Sequence, residues 1–255
     1  TRKGRFRGST ARTFLSRAKK RRSVRIETEA LVTGLIFDNK KCIGVKFTQK
    51  GKQHEIFAGK EIVLSGGAVN SPHILQVSGI GPQKHLQSIG VKIVHDLPGV
   101  GQNLQDHYVS RISHRVKNTV SINQLSRGIR LLREIGSWAF QGKGALTFGI
   151  TSAMVFSRSR EGLSSPDIQL LFTPASYSQK THGELEKEGG MTVVVCPVRP
   201  SSCGTIMAES SDALIRPLIR PNYLSDPDDI RVMLAGFRQA REILAQPAFK
   251  PFSVE

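Results

Sequence analysis

Residues 61–107 carry the pattern that decides the fold, and they read EIVLSGGAVNSPHILQVSGIGPQKHLQSIGVKIVHDLPGVGQNLQDH. A short apolar run at residues 62–64 leads into the glycine pair Gly66-Gly67, which is typical of a buried parallel strand ending at a turn. Small residues at such a strand end allow a ligand to approach the backbone closely. The stretch therefore predicts a strand–turn–helix unit suited to an extended anionic or planar cofactor.

The helix after the glycine pair has recognisable start and stop signals. Ser71 can cap free backbone N–H groups, Pro72 suits the first helical position, and Gly79 suits the end of the helix. Residues 99–104, GVGQNL, invite comparison with a dinucleotide-binding fingerprint. That interpretation is rejected because the third glycine is absent and Pro98 stands where a continuous strand should enter.

Upstream of this stretch, three segments rich in β-forming residues are separated by polar turns. Residues 31–37, 43–47 and 54–57 predict strands, with turns at DNKK and KGK between them. Short turns join antiparallel neighbours, so an antiparallel ribbon feeds the strand at residues 62–64. This order favours part of a nucleotide-binding domain and argues against a β-sandwich.

Downstream, strands and helices follow in a different order. Residues 123–140 predict one long amphipathic helix, with Leu125, Ile129, Leu132, Ile135 and Trp138 on one face. Strands are predicted at residues 152–156, 167–172 and 191–198, and Asp226-Pro227 marks the start of a further helix. The whole chain therefore predicts an α/β (α+β) fold, with a mixed or antiparallel sheet and helices on one side in its second half.

The charge balance is strongly basic, with 37 Lys and Arg against 20 Asp and Glu, a formal net charge of +17. Such a balance raises a basic binding module for nucleic acid or an anionic membrane as an alternative function. Aromatic residues are only 6% of the chain and no nucleic-acid-binding signature occurs, so a solvated basic surface is favoured and no nucleic acid partner is expected.

The sequence shows no apolar run of the length that a transmembrane helix needs. Three cysteines without C-x-x-C spacing fit a reducing compartment. We therefore expect a cytoplasmic location, with the basic surface as a route to membrane association.

Two long motifs resemble those of one enzyme family. Residues 67–82, GAVNSPHILQVSGIGP, closely resemble the second signature of the glucose–methanol–choline (GMC) flavin oxidoreductases, and residues 96–107, DLPGVGQNLQDH, are similar to the segment that follows it. Residues 30–32 and residues 222–229, NYLSDPDD, resemble further stretches of the family. The resemblance covers essentially the whole chain.

The resemblance implies FAD as cofactor and oxidation of a primary alcohol, choline-like or aliphatic, to an aldehyde by hydride transfer to the flavin. It also implies a partial FAD-binding domain at residues 1–110 and a substrate-binding domain at residues 111–255. The family's glycine fingerprint and catalytic histidine would lie outside these residues. On this reading the chain is an internal fragment that is inactive alone, and a non-functional truncated fragment is a further alternative.

Cofactor-contacting residues also follow from the resemblance. It implies that the Val32 backbone contacts the adenine, and that the dinucleotide lies near Ser65, Gly66, Gly67 and Ala68. It places Asn103, Asp106 and His107 along the approach to the flavin. No catalytic residue and no metal ligand is assigned within the chain, and the electron acceptor stays open.

Overall fold

The computed structural model describes residues 2–3, 6–178 and 183–254. Its strands, in chain order, are β1 (Arg2–Lys3), β2 (Phe6–Arg7), β3 (Ala30–Asp38), β4 (Lys41–Gln49), β5 (Lys52–Phe57), β6 (Ile80–Gly81), β7 (His95–Asp96), β8 (Ser110–Val116), β9 (Ala153–Ser157), β10 (Ile168–Thr173), β11 (Gly190–Pro197), β12 (Thr205–Met207), β13 (Leu218–Arg220) and β14 (Ser253–Val254).

Its α-helices are α1 (Ser16–Ala18), α2 (Gly67–Val77), α3 (Gln83–Ser88), α4 (Ile122–Leu125), α5 (Gly128–Gly136) and α6 (Pro227–Leu244). Two π-helical turns occupy Ala11–Leu15 and Ser137–Gln141, and a 3-10 turn occupies Ala145–Thr147. Within the described ranges, no helix has both the length and the apolar character needed to cross a bilayer.

The chain forms two compact units. The ribbon unit contains Thr10–Asp106 and Ser202–Ser225, and the sheet unit contains Thr1–Ser9, His107–Ser201 and Asp226–Glu255. Residues Ser202–Ser225 thus belong to the ribbon unit, although most of the sheet unit precedes them in the sequence. The division of function into FAD binding at residues 1–110 and substrate binding at residues 111–255 stays a prediction.

The ribbon unit is built on the predicted antiparallel ribbon, in which β4 lies between β3 and β5. Its turns use left-handed backbone at Asn39 and at Lys50-Gly51, as tight connections between antiparallel strands require. Helix α2 packs against the edge strand β3, where the Leu35 N–H donates to Ser78 Oγ at 2.9 Å. This contact joins the ribbon to the segment that follows the glycine pair.

The sheet unit is a five-stranded antiparallel sheet in the order β14-β8-β11-β10-β9, with α6 packed on β10 and β11. Its core contains Ile168, Val195 and Met233 among other buried apolar residues. Helix α6 starts as predicted: the Asp226 side chain accepts a hydrogen bond from the Asp228 N–H, and Pro227 is the first helical residue. The antiparallel sheet with a helix against it confirms the predicted α/β (α+β) fold.

The prediction of a strand at residues 62–64 is wrong. Residues 61–66 form no strand and have no ladder partner among the described residues, and the Val63 side chain is 78% exposed. An apolar run becomes a buried strand only where neighbouring strands supply backbone hydrogen bonds and a covering layer. In the described part of the chain, no strand pairs with these three residues.

The prediction of a single helix at residues 123–140 is also wrong. The chain forms α4, then α5, then a π-helical turn, and it breaks where Gly128 adopts a positive φ of 54°. The buried Asn123 amide accounts for the break on the α4 side. Its Nδ2 donates to the Ser176 and Glu186 carbonyls, and its Oδ1 accepts from the Ser176 N–H. These bonds tie α4 to distant backbone, and the extended backbone of Arg127 separates α4 from α5.

Candidate functional site

The N-terminus of α2 presents open backbone donors. The helix begins at Gly67, five residues before Pro72, the predicted first helical residue, so Pro72 lies inside it. Packing of α2 against β3 and β12 outweighs the local start signal. The N-cap residue is Gly66, which has no side chain with which to cap the first-turn N–H groups, and the first turn holds no acidic residue. Such a terminus suits an anionic group.

A loop after β7 lies close to this terminus because β12 holds it in place. The Ile206 N–H donates to the Gly101 carbonyl at 2.7 Å, and Leu104 and Gly204 exchange backbone hydrogen bonds of 2.9 and 2.8 Å. Gly101 has a φ of 82°, and a Cβ there would fall against the Ile206 carbonyl oxygen and 2.5 Å from Gln76 Nε2. Only glycine meets both requirements at this position.

Gln76 connects α2 to the same strand. Its fully buried side chain donates from Nε2 to the Ile206 carbonyl at 2.9 Å and accepts at Oε1 from the Ala208 N–H at 2.8 Å. Both main-chain groups are thereby satisfied in the interior, where an unpaired polar group is costly. The Gln76 side chain therefore sets the position of α2 on β12.

Helix α2, the loop and β12 together enclose a cleft of about 340 Å³. Ala68 and Pro72, one helical turn apart, form one wall, and Ile206 belongs to another. The rest of the lining comes from residues 101–105, whose side chains carry three amides and no charge. The structure therefore brings together Ala68 and Asn103, two of the residues predicted to contact the cofactor. Ser65, Gly66 and Gly67 lie exposed at the α2 terminus beside Ala68.

Val32 lies elsewhere in the ribbon unit. It is half-buried on the edge strand β3, immediately before a β-bulge, and it is not among the residues that line the cleft. An edge strand keeps one row of backbone groups unpaired by its own sheet. The predicted adenine contact of the Val32 backbone stays a prediction.

Asp106 and His107 are adjacent in the chain but bond to different groups. Asp106 Oδ2 accepts from the Tyr223 hydroxyl at 2.5 Å, and this hydrogen bond raises the pKa of the Tyr223 phenol. The His107 ring is 3.0 Å from the Val198 carbonyl oxygen through Nε2. Asp106 belongs to the ribbon unit and His107 to the sheet unit. Their predicted place along the approach to the flavin stays a prediction.

Two residues that shape the cleft were not singled out from the sequence. Gly101 and Gln76 lie within the two family-like segments, residues 96–107 and 67–82, but the sequence assigns neither of them a role. A signal for Gln76 does exist, because it is the one polar residue in the run Ile74-Leu75-Gln76-Val77. A polar side chain on an otherwise apolar helical segment must find partners when it is buried.

His73 on α2 is buried, and its Nε2 has no hydrogen-bond partner among the described residues. Burial lowers the pKa of this imidazole below the ordinary value of 6.5. The unfolded chain then binds a proton at a higher pH than the folded chain does. We therefore expect the free energy of unfolding to have its full value above about pH 6.5. It should decline as the pH falls from there towards the lowered pKa of His73.

Chemical denaturation between about pH 5 and 8 measures this decline. His73→Leu should flatten the dependence of the unfolding free energy on pH, because the burial of a titratable ring is removed. Gln87→Leu, at an exposed position in the same unit, changes no titratable group; it is the control and should leave the slope as in the parent. Equal slopes in the parent and in His73→Leu would contradict the assignment.

Known proteins of one family resemble this chain. Models of the GMC oxidoreductase N- and C-terminal domains match residues 1–109 and 200–255. Human mitochondrial choline dehydrogenase is 36% identical over 250 residues, covering 96% of this chain and 41% of that protein. Alcohol dehydrogenase [acceptor] of Pseudomonas putida is 36% identical over 249 residues, covering 95% of this chain and 44% of that protein.

A solved structure has the same fold. Formate oxidase of Aspergillus oryzae, in a variant studied for modification of its FAD, superposes with a TM-score of 0.79 at 25% identity, covering 89% of this chain and 45% of that one. The chain thus spans less than half the length of these relatives. Two family models and the two sequence relatives agree on one conclusion: the chain belongs to the GMC oxidoreductase family.

Proposed function

We propose that this chain contributes to the FAD-dependent oxidation of a primary alcohol, choline-like or aliphatic, to an aldehyde. The observation that carries the proposal is the cleft in which Ala68 of α2 and Asn103 of the loop line one space. Family membership and the relatives named for choline and alcohol dehydrogenation support the reaction class.

The residues around the cleft fit a dinucleotide. The first-turn N–H groups of α2 suit the negative charge of a diphosphate, and no carboxylate in the lining opposes it. The amides of Gln102, Asn103 and Gln105 can donate and accept hydrogen bonds with sugar hydroxyls or the polar edge of a ring. Exposed Gly66 and Gly67 leave room for close approach.

Bound FAD supplies the chemistry by accepting a hydride from the alcohol carbon. This chain's part is to bind and orient. The α2 terminus would hold the anionic portion, and the loop clamped by Gly101 and Leu104 would keep its amides in fixed positions. Rigid placement matters because a misplaced cofactor loses the orientation on which transfer depends.

The test uses the full gene product that contains this chain. We expect it to purify with an oxidised-flavin absorbance that bleaches anaerobically when a primary alcohol is added and returns with an artificial electron acceptor. Comparing choline with aliphatic alcohols then separates the two substrate classes. A folded product that neither carries nor binds flavin would overturn the proposal.

Ala68→Glu tests the cleft directly. Ala68 is exposed, so the substitution should fold, but it places a carboxylate where a diphosphate is expected. At a few ångströms such repulsion weakens FAD binding by roughly tenfold or more. Ala248→Glu makes the same change at an exposed position outside the cleft and should leave the affinity as in the parent. Titration with FAD followed by flavin fluorescence measures both, and equal affinities would contradict the proposed site.

We propose that the protein is located in the cytoplasm, which is a reducing compartment. The sequence has three cysteines, Cys42, Cys196 and Cys203, and no C-x-x-C spacing. Such cysteine usage is typical of proteins of reducing compartments.

A further inference from the structure

An unusual surface of the sheet unit is an exposed apolar row on α5. Ile129, Leu132 and Ile135 are 79%, 63% and 43% exposed, and their three-residue spacing places them on one side of the helix. Phe140, in the π-helical turn that continues from α5, is 86% exposed. We call these four residues the α5 face. Large side chains displayed together in this way mark an interaction surface.

The side of α5 away from this face bonds to the turn that follows it. Glu134 Oε2 accepts a hydrogen bond from the Ala145 N–H at 2.6 Å, beside Gly144. Glu134 lies roughly half a helical turn from Leu132 around the axis, so this bond and the α5 face are on different sides of the helix. No residue of the α5 face is among the described residues that pack against the buried core of the sheet.

Cations accompany the apolar row. Arg130 and Arg133 are exposed and repeat with the same three-residue spacing, one position behind Ile129 and Leu132, so they line one side of the face. Lys143 is exposed just beyond Phe140. The only acidic residue between positions 126 and 143 is Glu134, which the Ala145 N–H already engages. The segment that carries the face is thus positively charged.

We propose that the α5 face docks this protein on the surface of an anionic phospholipid membrane. Apolar side chains enter the boundary between headgroups and acyl chains, and the flanking cations bind phosphate, as in amphipathic interfacial helices. Charge complementarity selects this occupant. A second copy bound symmetrically would bring the same arginines together, on a chain whose net charge is already +17.

The fluorescence of Trp138 can report binding of the α5 face to a membrane. Trp138 is the only tryptophan of the 255 residues, is half-buried in the turn between Ile135 and Phe140, and contacts the Phe6 ring edge-on at 5.9 Å. Vesicles of equal parts phosphatidylglycerol and phosphatidylcholine should sediment with the protein and shift Trp138 emission to shorter wavelength. Phosphatidylcholine vesicles should do neither. Raising salt from about 50 to about 500 mM should release most of the protein, because screening weakens the phosphate contacts.

Substitutions distinguish vesicle binding through the α5 face from binding through other exposed residues. Leu132→Glu should weaken vesicle binding about tenfold or more, since it removes an inserted side chain and adds a repelled charge. Leu234→Glu, the same change at a 51% exposed position of α6, should bind as the parent does. Arg130→Gln with Arg133→Gln should lower affinity for anionic vesicles by about tenfold. Circular dichroism checks that each variant is folded.

Four results would overturn the proposal. One is equal binding to both vesicle types, and another is equal weakening by Leu132→Glu and Leu234→Glu. The third is binding by this chain that is absent from the full gene product, which would show that other parts of the protein cover the face. An α5 face used for self-association would appear as a dimer dispersed by Leu132→Glu in light scattering, without vesicle binding, and would also overturn it. None of these measurements depends on flavin.

Discussion

Gly101→Ala is expected to lower the free energy of unfolding by about 3–5 kcal/mol. Two causes act together. The backbone has a φ of 82°, which is strained for any residue with a Cβ, and the added methyl would press on the Ile206 carbonyl and on Gln76 Nε2. Relief requires the loop to move away from β12, which breaks the Ile206 N–H to Gly101 carbonyl bond. The variant should therefore also lose the cleft wall.

Gly99→Ala is the matched control, two residues away in the same loop. A Cβ at Gly99 meets no atom within 4 Å, so the change should stay within about 0.5 kcal/mol of the parent. Urea denaturation of both variants gives the difference, and FAD titration shows whether the cleft is lost with it. A Gly101→Ala variant as stable as Gly99→Ala would mean that the loop is not clamped as described.

Gln76→Leu is expected to cost about 2–4 kcal/mol of unfolding free energy. The substitution keeps the side-chain size nearly constant but leaves the Ile206 carbonyl and the Ala208 N–H without their buried partner. The free-energy cost of leaving two buried main-chain groups unsatisfied exceeds the gain from burying an apolar side chain. The contact that positions α2 on β12 is lost as well, so weaker FAD binding should accompany lower stability.

Gln87→Leu on α3 is the control for this change, because Gln87 is exposed. It should alter the unfolding free energy by no more than about 0.5 kcal/mol. Comparing denaturation midpoints and slopes for the two variants distinguishes lost hydrogen bonds from a change in the unfolded chain. If Gln76→Leu proved stabilising, the amide would not be satisfied in the interior as its geometry indicates.

Prediction from sequence succeeded where the signals are local. The start of α6 depends on Asp226, Pro227 and the next two residues, and the ribbon depends on turns of two residues between β-forming runs. It missed β8, Ser110–Val116, although the burial of that strand alternates residue by residue. Its side chains include two arginines and a histidine, and these disguise the period-two pattern of a half-buried strand.

Prediction was wrong where the outcome depends on partners far along the chain. Residues 62–64 have the composition of a buried strand but lack neighbours in the described part of the chain that would make them one. The apolar spacing of residues 123–140 is helical, yet Asn123 bonds to Ser176 and Glu186 and the helix divides.

By itself, the sequence determined the family, the ribbon and the start of α6, because motif strings, turn chemistry and this helix cap depend on neighbouring residues. Only the tertiary structure decided that α2 begins at Gly67 and that Ala68 faces Asn103 across a cleft. The cleft exists because buried hydrogen bonds join Gln76 to Ile206, 130 positions apart, and because Gly101 alone lets the loop approach that strand. Such long-range contacts depend on how the whole unit packs, and no local pattern specifies them.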